Sequence, residues 1–149
     1  KDNMETIRAH SHFHAAHRQL DYEGKCAWVH GHTWRGNFVV QAKRFPRIEK
    51  LDMSVDFGAL KNIFKFMDHK MLISPRDTVF QQSELFEPEG VVVIPGENPS
   101  VENVGHYCIN EAIAVLKNLF PGHEIKYRIE VTIQETDNNF FTVEQQVTI

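Results

Sequence analysis

The sequence predicts one α+β domain over residues 1–149, an antiparallel four-stranded sheet covered on one face by two helices in the order β-β-α-α-β-β. Three observations lead there. Apolar and polar residues alternate near both ends of the chain, two apolar stripes at helical spacing lie between them, and no repeat, linker or low-complexity tract divides the sequence.

In the first strand Ile7, Ala9, Ser11, Phe13, Ala15 and His17 share a face. A polar loop through Tyr22-Glu23-Gly24 leads to a second strand from about His30 to Lys43, in which Trp34, Phe38, Val40 and Ala42 share a face with His30 and His32. Asp56 is placed to cap a helix with the stripe Leu60, Ile63, Phe64 and Met67, and Asp68-His69 follow as the stripe ends. The signals from Ile73 to Glu97 are mixed, with only Val91–Ile94 suggesting a short strand. Asn98-Pro99-Ser100 announces a second helix with the stripe Val104, Cys108, Ala112, Val115 and Leu119, stopped by Phe120-Pro121-Gly122. The last quarter reads as a hairpin. Tyr127, Ile129, Val131 and Ile133 alternate with polar residues, the turn falls at Asp137-Asn138-Asn139, and Phe141, Val143, Val147 and Ile149 return.

Composition narrows the function. A net charge of -4 argues against a nucleic-acid partner, which demands a basic stripe. No apolar run reaches the roughly 18 residues of a membrane span, and no signal-peptide pattern opens the sequence, so the expected location is the cytoplasm. In that setting a disulfide between Cys26 and Cys108 is not expected, and Cys108 belongs to the core.

Nine histidines invite a metal. His30 and His32 point the same way from one strand, Gly31 leaves room between them, and His17 closes the strand expected to pair alongside. Three imidazoles without a nearby thiolate pair suit zinc with a fourth position open for water or substrate. Spacing alone is equally compatible with scattered or hydrogen-bonded histidines. His10, His12 and His14 fall on the other face as solvent-facing or packing residues and compete as ligands. Glu135 occupies a strand position where the pattern calls for an apolar side chain. It is either an acid emerging into solvent or a carboxylate held to receive N–H donors from a planar heterocycle.

Several ordered motifs then carry a resemblance across nearly the whole chain. They are Phe13-His14-Ala15-Ala16-His17, Cys26 with three residues before His30-Gly31-His32, Val55-Asp56-Phe57-Gly58-Ala59-Leu60-Lys61, Asp68-His69, Glu97-Asn98-Pro99-Ser100-Val101-Glu102-Asn103 and Gln134-Glu135-Thr136. The chain resembles the 6-pyruvoyl-tetrahydropterin synthase and 6-carboxy-tetrahydropterin synthase family. The resemblance implies the tunnelling (T) fold, with subunits joining their sheets into a barrel as a homo-trimer, commonly doubled to a homo-hexamer, and active sites between subunits. It implies zinc on His17, His30 and His32, a proton acceptor at Cys26, an aspartate–histidine pair at Asp68 and His69, and a pterin anchor at Glu135. Glu102 matches a second acid of the pterin-binding segment, though a helix's first turn also favours an acid there, and a helix's last turn favours His69.

The implied substrate is a small-molecule pterin triphosphate, 7,8-dihydroneopterin triphosphate. The short Cys26-to-His30 gap resembles the bacterial enzymes of queuosine biosynthesis, which form 6-carboxy-5,6,7,8-tetrahydropterin and release acetaldehyde and triphosphate. Two other readings stand beside it: a pyruvoyl-forming lyase that eliminates triphosphate alone, and a non-catalytic pterin- or purine-binding T-fold protein. Ser100 departs from the family's frequent threonine but keeps the hydroxyl, and Ile73–Glu97 is longer than in compact members.

Overall fold

The computed structural model describes residues 3–82 and 87–149. The two long N-terminal strands, β1 (Glu5–His17) and β2 (His30–Ala42), pair antiparallel without a break from Glu5 opposite Ala42 to His17 opposite His30. Continuous alternation is the cause: a slip by one residue would send every core side chain of one strand to the wrong face. β5 (Lys126–Thr136) pairs with β2, and β6 (Asn139–Thr148) returns along β5 after a turn at Asp137-Asn138.

The sheet is not the expected four-stranded antiparallel one. It has six strands in the order β4-β3-β1-β2-β5-β6, because β3 (Lys70–Ile73) adds parallel to the end of β1 and β4 (Val91–Val93) adds parallel to β3. The order β-β-α-α-β-β is corrected accordingly. Met71, Leu72 and Ile73 are all buried, so β3 is a continuous apolar run with no alternation to betray it. The segment Ile73–Glu97 also holds a third, one-turn helix, α2 (Thr78–Gln82), while its residues 83–86 lie outside the described residues.

The two main helices form as expected on one face of the sheet. α1 (Phe57–Lys65) begins where the Asp56 carboxylate accepts the Gly58 N–H at 2.9 Å, and α3 (Val101–Leu119) begins where the Ser100 hydroxyl accepts the Asn103 N–H. Leu60, Ile63, Phe64 and Met67 of the first stripe are buried, as are Val104, Cys108 and Ala112 of the second, whereas Val115 and Leu119 pack at the margin of the core. Phe64 lies over Gly36, where a Cβ would stand 2.3 Å from its ring, and stacks on Phe38 with ring centres 4.6 Å apart. That close approach seats α1 on the sheet. Among the described residues no helix is long and apolar enough to cross a membrane.

Candidate active site

Pairing of β1 with β2 sets His17 directly across from His30, and strand alternation brings His32 to the same face. The ring centres lie 4.7 Å apart for His17–His30, 4.9 Å for His30–His32 and 5.3 Å for His17–His32. One ligand atom from each falls within 4.8 Å of the others, the only such group of three or more among the described residues. Trp34 underlies the cluster, with its ring centre 5.0 Å from that of His17.

Two backbone carbonyls decide which nitrogens face inward. His17 Nδ1 lies 2.7 Å from the carbonyl of Pro99, and His30 Nδ1 lies 2.7 Å from that of Trp28. A carbonyl only accepts, so each Nδ1 carries the proton and each Nε2 keeps its lone pair. The Nε2 atoms of His17 and His32 are buried without a hydrogen-bond partner. Burial then pushes the His17 pKa down to about 4, with the neighbouring His30 and His32 adding to the effect against the Pro99 carbonyl. His32 is shifted the same way by burial and by His30. A buried His17 and a half-buried His32, each with an orphaned Nε2, beside His30 are a donor set that fits a zinc ion.

Glu135 stands beside this cluster. Its carboxylate oxygens lie 3.9 Å from His17 Nε2 and 4.0 Å from His32 Nε2, too far to be hydrogen bonds. The register between β5 and β6 shifts between Gln134 and Thr136, so Glu135 is the extra residue of a β-bulge, a device that re-aims a side chain at the end of a strand. Burial holds its pKa above the ordinary carboxylate value, opposed by His30 and reinforced by the charge of Glu102. No donor among the described residues satisfies it.

Cys26, Glu102 and Glu135 line one open cleft of about 430 Å³, together with Gln19, Asn98 and Ser100. Cys26 lies in a 3₁₀ turn (Lys25–Ala27) and is exposed, and Gln19 N–H donates to its carbonyl at 2.7 Å. Cys108 is also a free thiol, but buried in the core with its pKa driven far up by desolvation. Asp68 and His69 are elsewhere. The Asp68 carboxylate accepts the His14 N–H at 2.8 Å and holds His69 Nδ1 at 2.9 Å, and His69 has the left-handed φ of 61° as the chain turns from α1 into β3. His69 stands beside His14, whose place in β1 alternates with those of Ala15 and His17, so within one chain the pair lies across β1 from the triad. His10, His12 and His14 are on that exposed face, away from the cluster.

The sequence profile of 6-pyruvoyl tetrahydropterin synthase matches residues 6–146. The chain belongs to that family. It is a family of tetrahydropterin synthases, which are lyases, and this chain is one of its enzymes. Among its relatives, the 6-carboxy-5,6,7,8-tetrahydropterin synthase of Rickettsia felis is 28% identical over 137 residues, covering 88% of this chain and 94% of that protein. The Rickettsia typhi protein of the same name is 29% identical over 140 residues with the same coverage. A solved structure of Plasmodium vivax 6-pyruvoyltetrahydropterin synthase, a catalytic-residue mutant, has a TM-score of 0.70 at 21% identity and covers 98% of this chain and 100% of its own. This chain therefore has the fold of that structure, here with a mixed six-stranded sheet and three α-helices among the described residues.

Some residues at this site have no sequence signal. The Pro99 and Trp28 carbonyls bear on the cluster, yet a carbonyl leaves no mark in a sequence, and the ion pair that Arg18, next to His17, makes with Asp77 is unmarked because Asp77 falls in the stretch with mixed patterns.

Proposed function

We propose that this chain is a zinc-dependent synthase that converts 7,8-dihydroneopterin triphosphate and water to 6-carboxy-5,6,7,8-tetrahydropterin, acetaldehyde and triphosphate. The observation that carries the proposal is the set of three imidazoles, each with a ligand nitrogen turned toward the others, beside a half-buried carboxylate. Relatives named for the carboxy-forming reaction align along 88% of the chain, which favours that product.

His17, His30 and His32 would hold the zinc, which supplies Lewis acidity toward the hydroxyl oxygens of the substrate side chain. Glu135, half-buried and with no protein hydrogen bond to its carboxylate among the described residues, is suited to receive the N–H groups of the pterin ring and so fix the ring's orientation. Cys26, in the same cleft, takes a proton from the side chain. Glu102 faces that cleft from the first turn of α3, where it also suits the helix dipole. In His69 the bond to Asp68 fixes the proton on Nδ1 and leaves Nε2 to relay protons.

Because Asp68 and His69 lie across the sheet from the triad, a complete site takes them from a neighbouring subunit. Edge-to-edge assembly would supply one: among the described residues β6 and residues 5–14 of β1 have no strand partner on their outer edges. We take the assembly to be a homo-trimer or homo-hexamer working in the cytoplasm.

Incubating the zinc-loaded protein with dihydroneopterin triphosphate and identifying the products by mass tests the proposal. A carboxy-tetrahydropterin with acetaldehyde supports it. A pyruvoyl product without acetaldehyde assigns the sister reaction, and pterin binding without turnover defeats both.

A further inference from the structure

The loop that carries Cys26 has few contacts of its own to anchor it to the rest of the fold. Within residues 18–28 the backbone closes on itself through Gln19 N–H to Cys26 carbonyl and the short turn Gly24–Trp28, and its Tyr22, Glu23, Lys25 and Trp28 are exposed. What fixes its position comes from residues 74–80 and 96–98, largely within the stretch in which the sequence pattern is weakest. Arg18 follows the ligand His17 directly. Its Nε and Nη2 each donate to the Asp77 carboxylate at 2.8 Å, one bond to each oxygen, and its guanidinium lies 4.7 Å from the centre of the Phe80 ring. Next along the loop, Asn98 clasps Leu20 from both sides, accepting its N–H at 2.7 Å and donating to its carbonyl at 3.2 Å. Arg76 then donates to Asp21 at 2.9 Å and to the Glu97 carbonyl at 2.9 Å.

Three of the first four loop residues are thus gripped by one segment, and that segment is itself tied down. Asp77 N–H donates to the Ser74 carbonyl, forming a tight turn that presents Arg76 and Asp77 together, and the Ser74 hydroxyl donates to the Gly96 carbonyl. Pro99, one residue past the clasp, holds His17 Nδ1. Asp77 is only 3% exposed. A carboxylate that deep is retained only with a partner of matching geometry, and a planar guanidinium binding through two parallel N–H groups specifies one orientation where a lysine would not.

We propose that Asp77 is a positioning residue for the reaction: through Arg18 it holds the Cys26 loop in register with the three histidines, and residues 74–80 together with 96–98 serve as a brace for that loop. The consequence for turnover rests on the reading of Cys26 as the proton acceptor. The mechanical claim does not.

Asp77→Asn is the central variant. It keeps the shape but sets an amide N–H₂ against one of the two guanidinium donors, breaking the fork. Arg76→Gln loosens only the more exposed grip on Asp21 and Glu97, and serves if the first variant does not fold. Hydrogen exchange read by mass spectrometry should rise at least about tenfold in residues 18–28 of Asp77→Asn, and about threefold in Arg76→Gln, while β5 stays within about twofold of the parent. Turnover should fall with kcat, by about tenfold or more for Asp77→Asn, with KM nearly unchanged, since the loop positions a reacting group rather than the ring-binding carboxylate. Loop exchange that stays at the parent's level in the variant that folds, or that rises only in step with β5, overturns the brace. A kcat that holds while the loop loosens overturns the positioning role. A parent protein without turnover refutes the reading of Cys26, and the exchange measurement still decides whether the brace exists.

Discussion

Acidifying the metal-free protein should cost it stability through His17, by an amount that follows from burial. Folded, this imidazole is held at about 4 against an ordinary 6.5, chiefly because burial penalises the charged ring. In the unfolded chain it takes up a proton below about 6.5. Between the two values the unfolded state therefore binds more protons, so folding stability falls as the pH drops from 6.5 toward 4. A displacement of that size corresponds to about 3 kcal/mol at full protonation, a large part of a typical domain's stability. Glu135 acts in the opposite sense, since a carboxyl held above its ordinary value by burial favours the folded state as it gains a proton. The measurement is consequently a difference between proteins: urea denaturation of the metal-free parent and of His17→Asn at pH 7, 5.5 and 4.5. The parent should lose about 2–3 kcal/mol more than the variant across that range. Zinc at about a hundredfold over its dissociation constant should add about 2.7 kcal/mol to the parent at pH 7. Equal pH slopes in the two metal-free proteins would refute the claim that His17 is buried neutral with a free lone pair.

Three further substitutions test separate links. Cys26→Ala should keep zinc and ligand binding yet lose turnover by about a hundredfold or more, as expected for a general base, and unchanged activity excludes it from that role. Glu135→Gln should weaken pterin affinity before it changes metal content, measured by titration and metal analysis, and unaltered affinity rejects the anchor. Gly36→Ala should destabilise the fold by about 1–3 kcal/mol in urea, because the new methyl would stand 2.3 Å from the buried Phe64 ring. A midpoint equal to the parent's would show that α1 does not depend on that contact.

The elements legible in the sequence are those with a period. β1, β2, β5 and β6 announce themselves by alternation, and the Asp56 and Ser100 caps sit where the helices begin. The apolar run Val91–Ile94 suggests the short strand that forms as β4, whereas β3 escapes because a short parallel strand buried among neighbours is simply apolar, and four residues cannot show a period. Strand parity puts His30 and His32 on one face, but His17 joins them only through the pairing of β1 with β2, and the tautomers of His17 and His30 depend on the Pro99 and Trp28 carbonyls, which only the folded backbone brings near. Glu135 stood out as an acid in an apolar row, while the bulge that turns it toward the cluster had no separate mark. Asp68 and His69 were adjacent to a helix end in the sequence, and the fold shows them doing both things: closing α1 and holding an oriented imidazole on the far side of β1. Asp77 stayed hidden, since its partner Arg18 is 59 residues away.

The central claim is an open zinc site built from imidazoles, and X-ray absorption at the zinc edge of the loaded protein tests it most directly. The account predicts one zinc per chain with three nitrogen neighbours at about 2.0–2.1 Å and one oxygen, and no zinc in His30→Ala. A sulfur neighbour at about 2.3 Å, which would mean that Cys26 closes the site, or a parent protein that binds no zinc, would contradict it.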